Sequence, residues 1–110
     1  MLGDLIERCL AEGRRAYRRN AGDCPEVRKL DRHEPVSIGG ETFTCWRELM
    51  VYRMAEQITA WCPSAEVEVT LDGNGSSIEV AVSPDEEKTL ASRLEGLFMT
   101  ADAIRRKRFQ

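Results

Sequence analysis

The chain has 110 residues and a formal net charge of -3. This length suits one domain with a modest core, so we predict a single domain over residues 1–110. Hydrophobic residues make up 42% of the chain and charged residues 32%, a composition that argues against disorder and against a membrane protein.

Acidic residues are concentrated in the middle of the sequence. Residues 35–83 contain two basic and seven acidic residues, whereas the segments before and after them each have one more base than acid. An acidic middle segment gives a poor electrostatic field for holding a phosphate backbone.

The cysteines are far apart in sequence, without the close pair of a zinc knuckle or a redox motif. They are Cys9, Cys24, Cys45 and Cys62. We expect four reduced thiols that pack as small hydrophobic side chains, with no disulfide, metal or cofactor. The first residues lack the basic and apolar regions of a signal peptide, which predicts a cytoplasmic protein without membrane association.

The first third of the chain favours two helices. Apolar residues recur at steps of three and four from Leu2 to Tyr17 and predict an amphipathic helix to about Arg19, ended at Gly22. Asp23 then suits the N-cap of a short second helix that runs to about Arg32.

A short β segment and a long helix follow. Residues 36–43 alternate weakly around Gly39 and Gly40, which predicts a short hairpin or a bent strand. From Cys45 to Cys62 apolar residues cover about half of the helical circumference. This helix is the predicted centre of the core.

Residues 65–82 have the pattern of a second hairpin. A two-residue turn at Asn74 and Gly75, with positive φ at both, would pair Leu71 with Ile78, Val69 with Val80 and Val67 with Val82. The opposite face would then carry Glu66, Glu68 and Glu79 toward solvent. Aromatic and basic side chains, which bind nucleic acid on open sheet faces, are missing from it.

The C-terminal segment predicts one more helix. Ser83 and Glu86 form a capping box with Pro84 at the first helical position, and the apolar period continues to about residue 108. Such a helix would either break near Gly96 or project from the domain. Together the elements predict an α+β fold with two layers, in which an antiparallel sheet of hairpin 65–82 and the segment near 36–43 packs on the helices.

Few residues in the chain indicate chemistry. The stretch from Trp61 to Ser64 is similar to the start of a thioredoxin motif, but Cys62 ends a helix instead of opening one, and the second cysteine is missing. The single histidine, His33, lies beside Glu34 and near Cys24, without further metal ligands or a nucleophile at defined spacing. We therefore predict no catalytic or metal-binding set. A small enzyme or ligand-binding protein using the Cys24, His33 and Glu34 region is kept as a second alternative.

Two basic clusters provide the first alternative, a nucleic-acid-binding protein. Both suit the C-terminal ends of helices, where cations are favourable, and together they could form a patch for phosphate or for an acidic protein. Their members are Arg14, Arg15, Arg18 and Arg19, and Arg105, Arg106, Lys107 and Arg108.

A second apolar surface is predicted on the central helix. Leu49 and Tyr52 fall opposite its main apolar face, which indicates a contact outside the domain, most simply with a second copy. The sequence therefore predicts a non-catalytic protein-interaction module, such as an adaptor, a small chaperone or an inhibitor of another protein. We expect it to be a homodimer.

Overall fold

The computed structural model describes the backbone of residues 2–108 and the side chains of residues 2–96. Its helices and its two β-hairpins form an α+β fold, which confirms the predicted fold class. In chain order they are α1 (Leu2–Ala21), α2 (Pro25–Asp31), β1 (Val36–Ile38), β2 (Glu41–Phe43), α3 (Trp46–Trp61), β3 (Glu66–Thr70), β4 (Ser77–Ala81) and α4 (Pro84–Arg108).

Helix α3 is the centre of the core, as its apolar pattern predicts. It packs against α1, β2, β3 and β4, and α4 packs on α1. Among the side chains at the centre, Val51 and Ile58 of α3 and Leu94 of α4 are fully buried. One continuous cluster of buried side chains therefore joins the helices to both hairpins.

The ends of the helices follow local sequence rules, with one correction. Gly22 follows α1 with φ of 69°, and Glu86 N–H donates to Ser83 Oγ at 3.3 Å in the predicted capping box of α4. The N-cap of α2 is Cys24 and not Asp23, because Pro25 occupies the first helical position. Helix α4 continues through Gly96 without a break.

The two hairpins form separate two-stranded antiparallel sheets, whereas the sequence predicted one sheet. In the first hairpin Val36 pairs with Phe43 and Ile38 with Glu41. Gly39 and Gly40 both have positive φ, at 63° and 85°. This is the two-residue turn that the Gly-Gly pair predicts.

The predicted register of the second hairpin is wrong by two residues. Val69 pairs with Ile78 and Val67 with Val80, so the loop covers residues 71–76. A shift of two residues preserves the faces of a strand. Glu66, Glu68 and Glu79 are accordingly exposed, on the face opposite the valines, as predicted.

Helix α3 supplies the reason for the longer loop. The buried Glu48 carboxylate accepts the Gly73 N–H at 3.0 Å, and Arg47 Nε donates to the Ser76 carbonyl at 2.7 Å. Positive φ is found at Gly73 and at neither Asn74 nor Gly75. A local turn rule therefore fails here because side chains from another element hold the loop.

Leu49 and Tyr52 do not form the exposed surface that the sequence predicted. Leu49 is 1% exposed, and the Tyr52 ring lies 5.3 Å from the ring of Phe43. The β1–β2 hairpin covers this side of α3, so the helix is buried on more than one face. The predicted homodimer stays a prediction, without an exposed Leu49 to explain it.

Candidate functional site

An open apolar groove between α3 and β3 is the best candidate for a binding site. It encloses about 650 Å³, and we call it the α3–β3 groove. It is lined by Tyr52, Ala55, Glu56, Thr59, Ala60, Val67, Val69 and Leu71.

The helical wall of the groove is made of residues at steps of three and four along α3, which place their side chains on one face of a helix. Three of them, Ala55, Thr59 and Ala60, are small. Because short side chains cannot reach across to the strand, the space beside the strand stays open.

The opposite wall is the inner face of β3 and the first loop residue after it. Val69 is 38% exposed and Leu71 is 40% exposed. They are the large hydrophobic side chains that the described part of the chain leaves in solvent. Exposed apolar residues are ordinary when single, but two that share one groove indicate a contact surface.

Free backbone groups run along the same groove. Strand β4 occupies one edge of β3, and within the described residues no strand pairs with the other. The groove is lined by β3 and not by β4, so it lies on the β3 side of the hairpin, where the unpaired edge is. Each second residue of an edge strand presents its N–H and C=O groups for pairing.

Exposed carboxylates lie on both strands of this hairpin and on the facing side of α3. Glu66 and Glu68 are exposed on β3, Glu79 lies directly opposite Glu68 on β4, and Glu56 lines the groove. The described side chains make no ion pair with any of these four. Like charges placed opposite each other in a sheet are unfavourable, so an added cation would find several uncompensated negative charges.

Tyr52 at one end of the groove is affected by the same charges. Desolvation raises the pKa of its hydroxyl, and the negative charges of Glu56 and Glu41 raise that pKa further. Glu41 therefore extends the acidic rim to the first hairpin.

The arginines of α1 are partly engaged within the domain. Arg18 forms an ion pair with Asp31, and Arg14 lies 3.9 Å from the same carboxylate. Their guanidinium carbons lie 5.3 and 5.6 Å from the centre of the Trp46 ring. Trp46 Nε1 also donates to Asp31 at 2.7 Å, so this cluster fastens α1 to α2 and α3.

These contacts lower the pKa of the Asp31 carboxyl. The hydrogen bond from Trp46 and then that from Arg18 lower the pKa of its carboxyl, against a smaller opposing effect of desolvation. The carboxylate therefore stays ionised and keeps both arginines in place.

Among the remaining predicted basic residues, only Arg15 and Arg19 lie within the side chains that the structure describes. Arg15 pairs with Glu12 at 2.6 Å, and Arg19 is exposed at the end of α1. The side chains of Arg105, Arg106, Lys107 and Arg108 lie outside the described residues. The convergence of the two clusters, which the nucleic-acid alternative requires, therefore falls outside the described side chains.

His33 lines a cleft without the other two residues of the predicted Cys24, His33 and Glu34 region. This cleft, of about 350 Å³, also contains Arg14, Asp31, Trp46 and Arg47, but neither Cys24 nor Glu34. His33 has φ of 58°. This left-handed conformation of His33 ends α2. It turns the chain so that the following Glu34 N–H donates to the Lys29 carbonyl at 2.9 Å. The Cys24, His33 and Glu34 set is thus not brought together.

A third cavity, of about 280 Å³, lies at the C-terminal end of α3. There the Cys62 thiol donates to Glu86 Oε2 at 2.7 Å, and Ser64 donates to the same oxygen. These hydrogen bonds, with one from Ser83, lower the pKa of Glu86. The carboxylate joins α3 to the start of α4, which is a structural role.

Two features are absent from the described residues. No group of histidine, cysteine, aspartate or glutamate side chains among them is arranged to hold a metal ion. None of the described helices has the length and apolarity needed to cross a membrane.

Sequence reasoning missed the two residues on which the groove depends. Val69 and Leu71 were assigned to the covered face of the hairpin, and they do belong to that face. Their exposure depends on how the hairpin packs on α3, a tertiary arrangement that no local pattern encodes. The small residues Ala55, Thr59 and Ala60 were the available signal, because a helix face without bulk leaves a strand uncovered.

Comparison of the chain with protein-family models, with curated proteins and with solved structures finds no significant match.

Proposed function

We propose that the protein is a non-catalytic protein-interaction module that binds its partner in the α3–β3 groove. The observation that carries this proposal is the joint exposure of Val69 and Leu71 beside an unpaired strand edge. An apolar wall and free backbone hydrogen-bonding groups are the features by which proteins bind segments of other proteins.

The charge of the groove supports a protein partner over nucleic acid. Its rim carries unpaired carboxylates, which repel phosphate. Arg14 and Arg18, two of the residues that the nucleic-acid alternative needs, contact Asp31. The proposal retains the predicted cytoplasmic location, where the four thiols would stay reduced.

Selection from a random-peptide library displayed on phage tests this proposal. We expect wild-type protein to enrich a family of related peptides, and Leu71→Glu to abolish the enrichment by placing a charge in the apolar wall. Thr70→Glu is the matched control, because it adds the same charge one residue away on the opposite face of the strand. It should preserve the enrichment.

Both variants must first show wild-type melting curves, which we expect because Leu71 and Thr70 are exposed. No enrichment by the wild type, or equal enrichment by Leu71→Glu, would reject the groove as the binding site.

A further inference from the structure

The free edge of β3 identifies the kind of partner, if the proposed function is right. We infer that the partner is an extended basic segment of another protein, which pairs with β3 as a third strand. Its alternate residues would be apolar, and those between them lysine or arginine.

The backbone of β3 is suited to such pairing. Edge strands are commonly protected by proline, by bulges or by a covering element. Strand β3 contains neither proline nor glycine, pairs with β4 in a regular register over five residues, and is bordered on its other side by the open groove. Its protection consists of charge, in Glu66 and Glu68.

The two faces of the sheet dictate the side chains of the added strand. Successive side chains of a strand point to opposite faces. On the inner face they would contact Val69, Leu71 and the small residues of α3, which favours apolar side chains. On the outer face they would lie beside Glu66 and Glu68, which favours lysine or arginine.

A second copy of this chain fits the edge poorly. Antiparallel pairing of β3 with its own symmetry mate would set Glu66 opposite Glu68 of the other copy, or Glu68 opposite itself. A sheet that already holds Glu68 opposite Glu79 would then gain further like-charge pairs. The same carboxylates that oppose self-association favour a basic partner.

A synthetic peptide of about seven residues, alternating lysine and valine, is long enough to span β3 and serves as the probe. We expect chemical-shift changes in β3 and along α3 from Tyr52 to Ala60 when it is titrated into labelled protein. A glutamate and valine peptide of the same length is the charge control, and it should bind at least about tenfold more weakly.

N-methylation distinguishes strand pairing from simple apolar contact. Only every second N–H of an added strand faces β3, so methylating one alternate set of peptide nitrogens should abolish binding. Methylating the other set should leave binding within about threefold of the parent peptide, because those N–H groups face solvent.

The possible outcomes of the peptide experiments test different parts of the inference. If the peptide binds in the groove but both methylated forms bind equally, strand pairing is wrong and the groove function stands. If the glutamate peptide binds as well as the lysine peptide, the basic specificity is wrong. If neither peptide binds while library peptides do, the whole inference is overturned, and the proposed function is unaffected.

Discussion

Glu48 is the residue that most clearly connects sequence-distant parts of the fold. Its side chain is 9% exposed and accepts the Thr44 N–H at 2.6 Å, the Thr44 hydroxyl at 2.7 Å and the Gly73 N–H at 3.0 Å. A buried charge is tolerated only when it is hydrogen-bonded in this way. One carboxylate therefore fixes both the start of α3 and the loop of the second hairpin.

The pKa of Glu48 predicts how acid affects stability. Desolvation raises that pKa, but the hydrogen bonds from Thr44 and Gly73 outweigh it and the net shift is downward. A carboxyl with a lowered folded pKa stabilises the protein above its unfolded pKa of about 4.3, and this contribution disappears as pH falls through the folded value.

We therefore expect Glu48→Gln to lower the free energy of unfolding by about 1–3 kcal/mol at neutral pH. The difference from wild type should shrink at a pH low enough to protonate the wild-type carboxylate, below its lowered folded pKa. Urea denaturation at both pH values measures it. A difference that stays constant with pH would show that the charge is not what stabilises the loop.

Gly73 is a second residue on which the shape of this loop depends. Its φ of 53° is a conformation that side chains with a Cβ rarely adopt, so Gly73→Val should cost about 1–3 kcal/mol. Asn74→Ala, at the exposed neighbouring position without positive φ, is the control and should change stability by less than about 0.5 kcal/mol. Equal effects of the two changes in thermal unfolding would contradict the conformation of the loop.

At the scale of elements, sequence rules succeed where the determinants are local. The Gly39-Gly40 turn, the capping box at Ser83 and the end of α1 at Gly22 each depend on a few adjacent residues. They fail at Asn74 and Gly75, where Glu48 and Arg47 of α3 impose a longer loop, and at Leu49, where the preceding β1–β2 hairpin covers the helix. The candidate groove lies in this second category, because it arises between two elements.

Because Leu49 is buried, shortening its side chain should affect stability and not a dimer contact. Leu49→Ala should lower the free energy of unfolding by about 2–5 kcal/mol, since it leaves a cavity under the β1–β2 hairpin. Light scattering together with denaturation tests this. A Leu49→Ala protein that unfolds like wild type but has half its mass would restore the interface interpretation.

The pairing of Glu68 with Glu79 predicts that binding and stability oppose each other in the second hairpin. Glu79→Lys converts a repulsive cross-strand pair into an attractive one and should stabilise the protein by about 0.2–1 kcal/mol. It should also weaken binding of the lysine and valine peptide. Glu79→Gln, which removes charge without reversing it, should lie between the two in both melting temperature and affinity.

At the scale of the whole molecule, apolar packing and hydrogen bonds hold the four described helices and the two small sheets together. The acidic middle of the sequence becomes the second hairpin and the exposed flank of α3, while Arg14 and Arg18 of α1 lie over Trp46, which lines a separate cleft. Separated charge of this kind gives the domain one face for a basic partner. The sequence showed the charge imbalance but not the groove on which it lies.

The cysteines provide the last test of what stabilises the molecule. Cys9 and Cys45 are buried, and Cys24 and Cys62 are partly exposed, all as free thiols. Desolvation raises the pKa of Cys9 to about 11, so at about pH 8 very little of it is the reactive thiolate. Alkylation of native protein followed by mass spectrometry should label Cys24 and Cys62 first, and Cys9 and Cys45 only on unfolding.

Dithiothreitol and EDTA should leave the melting temperature unchanged. Loss of a structural disulfide would instead cost about 2–5 kcal/mol and lower the melting temperature by roughly ten degrees or more. Early labelling of Cys9 would contradict the packing of α1 on α4, and a large fall in melting temperature with either reagent would reveal a covalent or metal link that the described residues do not contain.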